Sequence, residues 1–273
     1  MPVETIRSGR AIAWIWTAVA LTAFPGLSDI ATAQESMPDF ARAVGRAHGV
    51  DAWNGVAAVS AAMTVRFGDK EAFSGRMITE PSMGRTRLDR RDGSMVLWDG
   101  REAWVSPAAA EFPAARFFAL TLPYFLALPM KLEDPGVHLA DAGTILLSAT
   151  DRRPAVRLSF DPGTGDAPDD WYLLTRDPST GRLDTVVYIV TYWSGPDSGK
   201  AETNAITYSD YRDIEGVFVP HRWTFRDWSR DTGLSEASTG LATLSDVTCL
   251  SQLRLDQFKR PSDGRIDPHP RGR

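Results

Sequence analysis

Residues 117–130 read FFALTLPYFLALPM, an uncharged run in a chain of which 24% of residues are charged. The run is too short to cross a bilayer as a helix and has the length of buried or re-entrant segments. Pro123 and Pro129 interrupt it, which predicts one or two short helical turns rather than one long helix. So apolar a segment needs a cover. Either the protein's own core or an apolar ligand supplies it, and that alternative is the main functional question the sequence poses.

Outward from the run, strands dominate. Residues 97–104, LWDGREAW, carry an Asp-Gly pair that suits the positive φ angles of a type I′ hairpin turn. That register sets Trp98 opposite Arg101 and on one face with Val96, Ala103 and Val105, and puts Met95, Leu97 and Trp104 on the other. Bulky apolar groups on both faces predict a central hairpin. Earlier in the chain, Val59, Ala61, Met63, Val65 and Phe67 follow the period of a half-buried strand. Residues 38–48 keep helical spacing, with Phe40, Val44 and Ala47 on one side and Gly49 as a stop.

Beyond the run, Val156, Leu158 and Phe160 alternate with polar residues. The turn DPSTG, residues 177–181, joins residues 171–174 to 186–190. Residues 206–211 return through 212–216 into 217–228, and a last strand covers about 241–250. The pattern predicts a mainly β (α+β) chain of roughly nine to eleven antiparallel strands, a sheet large enough to curl into an open or closed barrel. The Pro-, Gly- and Arg-rich tail, residues 260–273, reads as disordered.

The N-terminus has the layout of a secretory signal: Arg7 and Arg10, an apolar stretch over residues 11–21, and Ala31-Thr32-Ala33 as a cleavage site. A membrane anchor is the alternative, but the stretch is short and Phe24-Pro25-Gly26 breaks it. No cysteine follows it to carry a lipid. The reading is an exported chain whose residues 34–259 form one domain. The net charge of −5 argues against nucleic acid as a partner. Cys249 is the only cysteine, so no intramolecular disulfide forms. With Val247 on the same side of a strand, it reads as a small buried hydrophobe.

Chemistry-bearing motifs are sparse. His48, His138, His221 and His269 lack metal-ligand spacing, and no P-loop, dinucleotide or nucleophile-elbow motif occurs, so no catalytic residue, metal or cofactor is assigned. The acidic stretch 161–170 lacks the order of an EF-hand loop and reads as a solvated hairpin loop. His221 shares a strand face with Val217, Val219, Trp223 and Phe225, as a polar handle for a ligand head group or as a satisfied core histidine. Trp53, Trp98, Trp104, Trp171, Trp193, Trp223 and Trp228 build either a sheet core or an aromatic cavity closed by residues 117–130. If the latter, the ligand-binding candidates are Trp98, Trp104, Phe117, Phe118, Leu122, Phe125, Leu126, Tyr188, His221, Trp223 and Phe225.

The order of motifs resembles a known family. Ala47-His48-Gly49, Trp98-Asp99-Gly100, Leu128-Pro129-Met130-Lys131-Leu132 with Asp134-Pro135-Gly136, Asp177-Pro178-Ser179-Thr180-Gly181, and Tyr208-Ser209-Asp210-Tyr211 followed by Glu215-Gly216-Val217-Phe218-Val219-Pro220 are similar to an exported family related to the LolA-like or LolB-like lipoprotein-carrier fold. The resemblance implies a curved antiparallel sheet forming an incomplete barrel capped by short helices. It implies a periplasmic, monomeric carrier of a hydrophobic ligand, a lipid or a lipoprotein acyl chain, with transient contact to a membrane or envelope protein. An enzyme or interaction scaffold with a filled interior and function at its loops is the alternative.

Overall fold

Alternating side chains make most of this chain extended, and short turns make consecutive strands neighbours. The structure is a computed structural model that describes residues 36–193, 195 and 202–272; the expected signal sequence lies outside the described residues. The first meander holds β1 (Ala58–Phe67), β2 (Lys70–Thr79), β3 (Thr86–Arg90), β4 (Met95–Trp98) and β5 (Ala103–Ser106). The second holds β6 (Val137–Leu146), β7 (Arg152–Phe160), β8 (Tyr172–Arg176), β9 (Leu183–Tyr188), β10 (Asn204–Ile214) and β11 (Val217–Ser229), with the short β12 (Gly233–Leu234) beside β11. A long strand, β13 (Gly240–Leu250), then pairs with β1 on one side and β11 on the other and knits the two meanders into one antiparallel sheet. The last strand is β14 (Arg265–Asp267). The sheet has fourteen strands among the described residues, more than the sequence predicts, and does not close: β14 and β6 are its free edges.

This topology places the apolar run. β5 lies next to one edge and β6 forms the other, so the segment between them must pass across the inner face of the curved sheet. It does so as α3 (Ala115–Ala127), followed by a 3₁₀ turn at Leu128–Met130. The expectation of one or two short turns is corrected here, because α3 runs straight through Pro123. An internal proline costs about 3 kcal/mol. Burial of Leu122, Phe125 and Leu126, at about 1.5–3 kcal/mol each, outweighs it. Ahead of them, α1 (Met37–His48) starts at Ser36, whose side chain accepts from Asp39 N, and stops at Gly49 with φ 84°. A Cβ at Gly49 would lie 1.8 Å from the Gly216 carbonyl oxygen, so this stop is also a close packing point. The single turn α2 (Val50–Trp53) follows.

The 97–104 hairpin departs from its expected register. Trp98 pairs with Ala103 rather than Arg101. The Asp99 carboxylate accepts from Arg101 N and Glu102 N, both at 2.9 Å, and this side-chain turn moves Gly100-Arg101 to the centre of the loop. A partner shifted by two residues keeps its face, so the division between Trp98 inside and Trp104 outside holds. The hairpin is not central, however; only β14 lies beyond β5.

The tail, where disorder is expected, contains a strand. Arg265, Ile266 and Asp267 pair with Val105, Trp104 and Ala103, and the Asp267 carboxylate accepts from Arg116 N at 2.9 Å. Composition predicts disorder, but the open backbone edge of β5 gives three residues a ladder to complete. Ala114, the N-cap of α3, has no side-chain acceptor, and Asp267 supplies one from the tail.

Candidate functional site

α3 is apolar on both sides, and the two sides meet different surroundings. Ala115, Ala119, Leu122 and Leu126 are buried in the main core. On the opposite side, Phe117, Leu120, Thr121, Tyr124 and Phe125 recur at the spacing of one helical face and line a cavity of about 410 Å³. Its other wall is the inner face of the second meander, with Val137 on β6, Phe160 on β7, Tyr172 on β8 and Tyr188 on β9. Met83, Gly84, Trp98 and Gly100 from the first meander form part of the rim. The volume falls within the range of small-molecule pockets.

Hairpin register builds the aromatic wall. Tyr172 and Tyr188 are direct partners across the turn at residues 177–181, so their rings stand side by side with centroids 6.2 Å apart. Tyr124 lies 5.7 Å from Tyr172, and Phe125 lies 5.0 Å from Tyr188, ring centre to ring centre. The Tyr124 hydroxyl is buried without a hydrogen-bond partner, although the residue as a whole is only half-buried. Among the described residues no group hydrogen-bonds the hydroxyls of Tyr172 or Tyr188 either. Burial raises the pKa of all three phenols, which stay protonated.

Loop 161–170 joins the neighbouring strands β7 and β8 as a hairpin loop, with 161–163 and 165 exposed, but the rest of it is not fully solvated. It folds against the cavity and contributes Thr164, Gly165, Asp166, Ala167 and Asp170 to the lining. Asp166 receives Arg116 through Nε at 2.5 Å and Nη2 at 2.9 Å, and the guanidinium lies 4.7 Å from the Trp98 ring. This fork holds Asp166, a lining residue, against α3. Asp170 is 9% exposed. Its Oδ1 accepts from Thr191 N at 2.6 Å and Thr191 Oγ1 at 2.7 Å. Burial pushes its carboxyl up to about 6 against those two bonds, which favour the ionised form.

Of the residues expected at the site, Trp98, Phe117, Phe125 and Tyr188 line the cavity. The other seven do not. Trp104 sits on the outer face with Leu97 and Phe258, its indole N–H bound to Asp99 at 3.1 Å. Phe118, Leu122 and Leu126 point α3 into the filled core. Trp223 is fully buried, its N–H held by the Pro220 carbonyl, and Phe225 packs 5.0 Å from Phe67. His221 is a satisfied core histidine whose Nδ1 lies 3.0 Å from the Val219 carbonyl. Cys249 is half-buried, and burial pushes its thiol up to about 11.

Tyrosine and phenylalanine make most of the cavity's aromatic wall, and Trp98 is the one tryptophan among its described lining residues. The residues that sequence reasoning missed are Leu120, Thr121, Tyr124, Phe160, Asp170 and Tyr172. Two signals identify the main ones: Tyr124 lies seven residues after Phe117, and Tyr172 faces Tyr188 across a short turn. Among the described residues no group of three His, Cys, Asp or Glu side chains is placed to hold a metal, and no helix is long and apolar enough to cross a membrane.

An unclosed antiparallel barrel with an inserted helix over a cavity defines the class. Two solved structures are similar to this chain in fold. A LolA superfamily protein from Nitrosomonas europaea superposes with a TM-score of 0.54 at 13% identity, covering 83% of this chain and 99% of its own. A DUF1329 family protein from Desulfovibrio piger gives 0.51 at 12% identity, covering 83% and 98%. The chain has a LolA-like fold, as the sequence resemblance implies. Neither a protein-family model nor a curated protein matches the sequence.

Proposed function

We propose that this protein is an exported, periplasmic binding or carrier protein for a hydrophobic ligand, a lipid or a lipoprotein acyl chain, held between α3 and strands β6 to β9. One observation carries the reading: the second apolar face of α3 borders a cavity of about 410 Å³ instead of core. A scaffold with a filled interior has no use for such a space. The signal-like N-terminus supports export, and the likeness to a LolA superfamily protein supports carriage. Carriage would be performed by a monomer that touches a membrane or envelope protein only to load and unload.

Native mass spectrometry of protein purified from the periplasm tests this. Wild type should carry a bound lipid mass. Leu120→Trp, which puts a large ring into the cavity from the helix side, should lose that mass with its far-ultraviolet circular dichroism unchanged. Wild type without lipid and without uptake of an apolar dye would falsify the reading.

A further inference from the structure

The cavity is not uniformly greasy, and its polar groups have a definite chemistry. Among the described residues three carboxylates and one ammonium line it: Asp134, Asp166, Asp170 and Lys131. Lys131 and Asp134 neutralise each other at 2.5 Å, and Asp166 is taken by Arg116. Asp170 is left. Both Thr191 donors go to its Oδ1, and among the described residues no donor reaches its Oδ2. Arg271 is near enough to favour its ionised form, and Asp169 to oppose it, but among the described residues Asp170 forms no ion pair. The same cavity is lined by the aromatic rings of Tyr124, Tyr172, Tyr188, Phe125 and Phe160, linked to one another by centroid distances of 5.0–6.3 Å.

Aromatic walls around one unpaired carboxylate form a site for an organic ammonium ion. The ring faces attract a cation that is too weakly hydrated to prefer water, and the carboxylate supplies the counter-charge. An acyl chain needs neither. A carboxylate or phosphate head would meet Asp170 as a like charge, and the three unpartnered tyrosine hydroxyls accept as readily as they donate. Resting on the carrier reading above, we infer that the ligand of this cavity is a cationic amphiphile: an ammonium head seated among Tyr124, Tyr172, Tyr188 and Asp170, with an aliphatic tail along α3.

Isothermal titration of the full chain with three short probes of equal tail length, octyltrimethylammonium, octanol and octanoate, decides the point. Wild type should bind the ammonium at least about tenfold more tightly than octanol, and octanoate weakest. Asp170→Asn should erase the advantage of the ammonium over octanol. Equal binding of ammonium and octanol, or tighter binding of octanoate, overturns the head-group assignment while the carrier reading stands. If none of the three binds and an apolar dye is also refused, both fall. The wild-type ranking decides by itself should the variant fail to fold.

Discussion

The two sides of α3 hold side chains of similar hydrophobicity, yet one side is filled and the other is hollow. On the filled side, α1, β1, β2, β11 and β13 bring Val44, Val65, Phe73, Met77 and Trp223 to full burial. Polar atoms there find partners. Trp223 donates to Pro220, the Tyr208 hydroxyl donates to the Phe125 carbonyl at 2.9 Å, and His48 Nδ1 lies 2.8 Å from the Val44 carbonyl. The hollow side is built from planar rings on adjacent strands, which cannot interdigitate as branched aliphatic chains do. Its hydroxyls are left over. Apolar content does not distinguish a site from a core; unfilled volume and unspent polar atoms do.

The contrast predicts a graded set of outcomes. Trp223→Ala should cost the most, about 3–5 kcal/mol by urea denaturation, because the filled side cannot collapse into the void. Phe160→Ala, on the hollow side, should cost under about 2 kcal/mol, since its ring is half-buried and already borders empty space. Equal costs would abolish the distinction between the two sides.

Acid separates the sides by sign. Burial holds His48 down at about 4, against an ordinary value of 6.5. Between those values the unfolded chain binds a proton that the folded chain refuses, so this histidine removes stability as pH falls from 6.5 to 4, by about 3 kcal/mol in all. Asp170 acts in the opposite direction. Its carboxyl titrates near 6 instead of 3.8, so the folded chain keeps a proton that the unfolded chain has released, and stability falls as pH rises through that window. Asp170→Asn should therefore stabilise the protein at neutral pH, by about 2–3 kcal/mol, and have no such effect at pH 3. Thermal melts of wild type, His48→Gln and Asp170→Asn across pH 3–8 measure both slopes. A flat Asp170→Asn difference would show that this carboxyl is not held out of water.

The smallest effect belongs to the junction between tail and helix. Asp267→Ala removes the acceptor on Arg116 N and should cost about 1 kcal/mol. Hydrogen exchange should quicken over the first turn of α3 and nowhere on the filled side. Unchanged exchange there would mean that the tail does not cap the helix.

Much of the fold is legible in local pattern. The period of two along β1, β10 and β11, and the turn residues at 177–181 and 215–216, mark strands and hairpins because steric limits on φ and ψ act over four or five residues. Inside and outside faces are also legible: the assignment of Trp98 and Trp104 to opposite faces survives a wrong turn register, because the error was an even number of residues. Legibility ends where two distant segments meet. The strand at residues 265–267 is invisible in its own composition, since its stability comes from the exposed edge of β5. Asp170 reads as one acid in an acidic loop, and only the fold of that loop against Tyr172 and Tyr188 puts it in a cavity.

The sequence by itself determined that residues 117–130 must be covered on every side, since an uncharged run of that length has no solvated face to offer. It could not determine by what. Each face of α3 is equally apolar in the alphabet of the chain, and hydrophobicity specifies removal from water without specifying the neighbour. The order of strands decided the rest. It carries α3 across the inner face of the sheet, presses Leu122 and Leu126 into close-packed core, and leaves Leu120 and Tyr124 facing rings that do not fill the space between them.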